Sequence, residues 1–143
     1  MLHLITTSQD PLLAFVSDDP VRPEISREFR VSENRFIAAL VEDQRPTSMV
    51  CISLHDFIPE SVTDLIKTSS CPTTAVFYSI WSYRPGDGAK LLRECLSAIN
   101  QRYSDINTFV TLSPKTEMAR KFHLKNGAVI FRENQDSVNY RYR

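Results

Sequence analysis

The sequence predicts an α/β (α+β) chain, a mixed sheet with helices on its faces. Three observations predict it. TTAVFYSIW (Thr73–Trp81) is a run of β-branched and aromatic residues, as a buried central strand requires. Leu91, Leu92, Cys95, Leu96, Ile99 and Tyr103 recur at i, i+3, i+4 spacing, which lays an apolar stripe along one helix face. Short apolar runs bounded by turn residues stand on both sides of this pair.

Taken in order, Leu2–Thr6 reads as a short strand. Pro11, Pro20 and Pro23 break the first 34 residues, and DDPVRPE reads as a loop with an extended stretch. Ile25–Val31 fits a helix turn or a strand. NRFIAALVE is a strand, EDQRPTS a polar turn and SMVCISL a second strand, which together predict a β-hairpin. In PESVTDLIKTS, Pro59 suits a first helical position, and Ile58, Val62, Leu65 and Ile66 share a face, predicting a short helix. The central strand, the loop YRPGDG and the amphipathic helix follow. NTFVTLS is a strand, Lys115–Leu124 a helix ended by Asn126-Gly127, AVIFRE a strand and NYRYR a last one.

With 143 residues the chain has the size of one domain, in which residues 1–33 form the least patterned segment. A domain of this size buries roughly 68–70% of its unfolded surface. Seventeen basic and 17 acidic residues cancel, so no global field recruits nucleic acid or an anionic membrane. No apolar run reaches the roughly 18–20 residues that span a bilayer. Cys51, Cys71 and Cys95 show no CxxC spacing, and the N-terminus has no basic leader, which points to a cytoplasmic protein with reduced thiols. No His, Cys and acid cluster has metal-ligand spacing. His3 and His55 stand in no suggestive context and are expected at the surface, and an oligomer remains possible.

YRPGDG (Tyr83–Gly88) lies between a strong strand and a strong helix. A strand, glycine turn and helix can hold a phosphate, because free backbone N–H groups and the helix N-terminus face the anion. Arg84, Lys90 and Arg93 add charge, and Asp87 opposes it. The spacing is neither the GxxxxGK(S/T) loop nor a dinucleotide fingerprint, so an ordinary Pro-Gly, Asp-Gly turn is the competing reading.

The loop resembles the coenzyme A-binding motif of the GCN5-related N-acetyltransferase (GNAT) superfamily, with Gly86 and Gly88 on its two small positions. Tyr83 stands where that family prefers Gln or Arg, and Arg84 follows one place later. Ala119-x-x-Phe122-His123-x-Lys125-x-Gly127 resembles a second family segment, in which His123 takes the place of a thiolate-protonating tyrosine. The resemblance implies a mostly antiparallel mixed sheet flanked by helices. It also implies a coenzyme A contact at Arg84, Gly86, Gly88 and Ala89.

Within that superfamily, VTLSPKT, FHLKNGAVIFR and NYRY are similar to the C-terminal catalytic domain of malonyl-CoA decarboxylases. TTAVFYSIWS and NRFIAALVEDQRPTSMVCISL extend the likeness, which runs from about Asn34 to Tyr142. It implies Ser113, His123 and Tyr140 as the catalytic residues. Three features depart from the family: the segment between Ser-Pro and FHL is short, the helical N-terminal domain has no counterpart, and Cys51 stands where the family has a glutamate.

Loss of carbon dioxide from a malonyl thioester leaves an enolate, which needs oxyanion donors and then a proton. A histidine suits the proton delivery. A hydroxyl such as Ser113 can orient the substrate, and an apolar wall of Phe77, Trp81 and Phe122 can disfavour the carboxylate relative to neutral carbon dioxide. The resemblance therefore implies a decarboxylase of malonyl-CoA or a related thioester, carried on coenzyme A or an acyl carrier protein. No cofactor is implied beyond the coenzyme A, or phosphopantetheine, of the substrate. The alternatives are an acyl-CoA-dependent N- or O-acyltransferase and a non-catalytic acyl-CoA-binding module.

Overall fold

Strands β2 (Arg35–Glu42) and β3 (Arg45–His55) carry the continuous apolar runs Phe36–Val41 and Met49–Ile52 because both of their faces are covered. Phe36, Ala38 and Leu40 point to one side of the sheet with Val50 and Ile52, whereas Ile37 and Ala39 point to the other with Met49 and Cys51. In the computed structural model, which describes residues 1–143, these strands pair in a hairpin closed by Asp43 and Gln44. Both turn residues have positive φ, 52° and 66°, the backbone that suits the twist of a two-residue hairpin. The turn is shorter than the sequence suggests, and Arg45 and Pro46 already belong to β3.

The sheet has seven strands in the order β1-β2-β3-β4-β5-β7-β6. β1 (Leu2–Ile5) forms one edge, and β4 (Thr74–Ser82) lies beside β3 near the centre. β5 (Thr108–Thr111), β6 (Val129–Glu133) and β7 (Val138–Tyr142) complete it. Every pairing is antiparallel except β4 with β5. Helix α1 (Asp87–Arg102) supplies the crossover between these parallel strands. It buries Leu91, Leu92, Cys95 and Ile99 on one face of the sheet, each apolar side chain contributing about 1.5–3 kcal/mol.

The opposite face is covered by the segment before β2 and by the β3–β4 connection. A 3₁₀ segment, Pro11–Asp18, packs Leu13 and Val16 there, and a shorter one spans Phe29–Val31. The predicted helix after Pro59 is only a 3₁₀ turn, Thr63–Ile66. Leu65 is fully buried but Ile66 is exposed, so the four apolar residues do not form one helical face. Its N-cap position is Val62, which offers no side-chain acceptor to the first turn. Helix α2 (Glu117–Lys125) starts where the Thr116 hydroxyl accepts from the Ala119 N–H, and Gly127 follows it at φ 96°.

Candidate functional site

β4 and β5 pair only from Thr74–Phe77 against Thr108–Thr111. One more bond follows, the Leu112 N–H to the Phe77 carbonyl at 2.9 Å, and then the strands part. β4 continues to Ser82, while the chain after β5 turns to β7, where Ser113 and Val138 exchange backbone bonds of 3.0 and 2.9 Å. The wedge between them is a cavity of about 370 Å³. A bulge in the β3–β4 pairing lies beside it, at Tyr78 and Ser79. α2 brings Phe122 and His123 to the cavity wall, and the loop at Pro20 and Val21 closes another side.

His123 and Ser113 both line this cavity, as do Phe77, Trp81 and Phe122. None of its 18 lining residues is Asp, Glu, Lys or Arg. His123 is only 4% exposed, and its pKa is pushed down to about 4 by burial. Its Nδ1 lies 2.6 Å from the Tyr142 hydroxyl. Its ring stacks on Tyr140, with centroids 5.0 Å apart and planes 27° from parallel. The two tyrosines of NYRY are two apart in a strand and so face the same side. Tyr140 is the platform under the imidazole, and Tyr142, which the sequence did not single out, makes the hydrogen bond.

The hydroxyls of Ser113 and Thr111 are 2.8 Å apart, and the Tyr140 N–H donates to the Thr111 oxygen at 3.0 Å. Asn139 fixes the same corner, donating to the carbonyls of Thr111 and Pro59 at 2.8 and 2.9 Å. Ser113 is therefore held by a buried network that ties β5 to β7.

The glycine loop opens on the same cavity through Gly88. Gly86 has φ 85° and stands before α1, a backbone that glycine adopts without strain. The N–H groups of Gly86, Gly88 and Ala89 have no hydrogen-bond partner within the chain, as expected for a first helical turn. A side chain on Gly88 would meet the Phe122 ring at 3.6 Å. Arg84 is exposed and bonded to Glu42 at 3.0 Å rather than folded over the loop.

Acidic chemistry near the cavity comes from a residue that sequence reasoning passed over. Asp19, buried in the N-terminal segment, accepts the Ser79 hydroxyl at 2.7 Å and the Arg30 guanidinium at 2.6 Å. Arg30 also lies 3.3 Å from the Cys51 sulfur, so the guanidinium links this carboxylate to β3. The readable signal was Asp-Pro-Val-Arg: Asp19 accepts from the N–H groups of Val21 and Arg22, a local turn of the Asx kind. His55, expected at the surface, is completely buried, with Nε2 2.7 Å from the Ser53 hydroxyl. It caps β3 under the ring of Phe57, away from the cavity.

No protein-family model matches the sequence. No curated protein matches it either. Solved structures do match in shape. The GNAT domain of PAT from S. lividans superposes with a TM-score of 0.69 over 99% of this chain and 88% of that one, at 13% identity. The fold is GNAT-like. Malonyl-CoA decarboxylase from Rhodopseudomonas palustris gives a TM-score of 0.77 at 18% identity, covering 99% of this chain and 59% of that one. The enzyme from Agrobacterium vitis gives 0.70 at 23% identity, covering 85% and 35%. The chain thus spans between about a third and three-fifths of the length of these decarboxylases. No helix is long and apolar enough to cross a membrane.

Proposed function

We propose that this GNAT-like domain decarboxylates malonyl-CoA or a related malonyl-type thioester, borne by coenzyme A or an acyl carrier protein. The observation that carries the reading is a cavity holding His123 and Ser113 but no charged side chain. A lysine or arginine there would stabilise the malonyl carboxylate and oppose its loss. Neutral donors and aromatic walls leave that carboxylate poorly solvated, which favours its departure as carbon dioxide.

In the proposed step the bond between the α-carbon and the carboxylate breaks. Its electron pair enters the enolate, carbon dioxide leaves, and His123 gives a proton to the α-carbon. Water returns a proton to the ring, so each turnover takes up one proton. A thioester enolate is a stronger base than the imidazolate that a neutral ring leaves behind, so a neutral ring suffices as the acid. Ser113 orients the acyl end. The coenzyme's pyrophosphate would meet the free N–H groups at Gly86, Gly88 and Ala89, with Arg84 close by. The pantetheine arm would run along the edge of β4 left open beyond Phe77, where extended chains can bond to unpaired backbone.

Acyl transfer from acyl-CoA is the second reading. It is favoured by the match to nearly the whole length of a GNAT domain, against about three-fifths of a decarboxylase. Incubation with malonyl-CoA decides between them. Release of carbon dioxide and acetyl-CoA without an acceptor is expected. Turnover only when an amine or alcohol acceptor is added to acetyl-CoA would overturn the decarboxylase reading. His123→Ala should lower kcat on the order of 10²–10⁴-fold and leave coenzyme A affinity nearly unchanged.

A further inference from the structure

Burial keeps the His123 ring neutral, which leaves two tautomers. Only one of its nitrogens has a partner in the chain: Nδ1, 2.6 Å from the Tyr142 hydroxyl. Nε2 has none, yet it is not among the enclosed polar atoms that lack a partner. It therefore keeps some exposure, and on a ring that lines the cavity it is the nitrogen free to meet a ligand.

The Tyr142 hydroxyl in turn has no hydrogen bond except this one. If Nδ1 carried the proton, it would donate to the phenol oxygen. The buried phenol hydrogen would then lack an acceptor, and Nε2 would offer the cavity a bare lone pair. If Nε2 carries the proton, the phenol donates to Nδ1 and every group is satisfied except an N–H directed at the substrate. An unmet buried donor costs about 1–3 kcal/mol, enough to set the tautomer. Burial also pushes the Tyr142 phenol well up, so it remains a donor across the working pH range.

We infer that Tyr142 is a positioning residue that holds His123 as the Nε2–H tautomer, making it a hydrogen-bond donor and acid toward an acyl thioester and not a base toward an incoming nucleophile. This rests on the proposed function for its substrate and deepens it by separating the two enzyme readings: a general base for acyl transfer needs the lone pair at Nε2. Ser113 lies on the same cavity wall, its hydroxyl oriented by donating to Thr111.

The test reads the tautomer directly. The chain has three histidines, so protein labelled with nitrogen-15 histidine shows three imidazoles in long-range proton–nitrogen spectra at pH 7, and His123→Gln assigns the one in question. The expected wild-type result is a protonated Nε2 and an unprotonated Nδ1. A protonated Nδ1 overturns the inference, and this measurement needs no variant at Tyr142. In Tyr142→Phe the ring should shift toward a mixture of tautomers, and kcat for malonyl-CoA should fall roughly tenfold or more with KM unchanged. An unaltered tautomer in that variant also overturns it. Absence of malonyl-CoA turnover by the wild type would remove the decarboxylase reading, while the spectra would still decide the tautomer.

Discussion

A guanidinium that is 1% exposed must have its charge answered inside the protein, and Arg30 is answered by Asp19. Its remaining donors reach the carbonyls of Arg22 and Ile25. Asp19→Ala should therefore cost on the order of 3–5 kcal/mol in urea unfolding, because it strands a buried cation and frees the Ser79 hydroxyl at the cavity wall. A loss below about 1 kcal/mol would show that Arg30 finds water instead. At this scale the sequence was only partly legible. Ser113 and His123 could be singled out because short motifs carry them. Asp19 sits in a proline-broken stretch without periodicity, and its partner is 11 residues away with no pattern linking the two. His55 lies on a strand whose two covered faces remove the alternation that would have marked it as buried.

Elements with strong periodicity were legible almost to the residue. α1 and β4 follow the patterns that predicted them, since one continuous stripe or run decides each. The segment after Pro59 failed because four apolar residues at helical spacing do not make a helix without a cap or length. The β2–β3 turn gives a prediction of its own. Asp43 and Gln44 both occupy a left-handed backbone that glycine or asparagine adopts more readily. Replacing the pair by Asn-Gly should stabilise the protein by about 1 kcal/mol, visible as a rise in denaturation midpoint at constant slope. Conversely, Gly86→Ala at φ 85° should destabilise by about 1 kcal/mol, while leaving the cavity intact because its added carbon meets nothing within 4 Å.

For the molecule as a whole, two buried histidines make stability depend on pH. His55 and His123 are each pushed down to about 4, chiefly by burial. In the unfolded chain a histidine binds its proton near 6.5. Between these values the unfolded state holds protons that the folded state refuses. Stability is thus fully present above about pH 7 and falls as pH drops toward 4, by up to roughly 3 kcal/mol for each ring. Urea titrations at pH 7, 5.5 and 4.5 would show it, and a flat profile would mean that both rings are open to water. The sheet order and the wedge between β4 and β5 were not legible, because the register of β7 between β5 and β6 is set by contacts across the sheet and not by local pattern.

The cavity walls come from five separate stretches of chain: the loop at Pro20, strand β4, helix α1, the Leu112–Pro114 turn and helix α2. Any opening that detaches one of the five removes the site, so a ligand opposes every such opening as well as global unfolding. Occupancy at a hundred times Kd would add about 2.7 kcal/mol to the whole unfolding equilibrium. Amide protons in the cores of β2 and β3, which touch no ligand, would then exchange more slowly when the wedge is filled. Thermal shift and hydrogen exchange can therefore rank candidate thioesters by binding alone, before any turnover is observed.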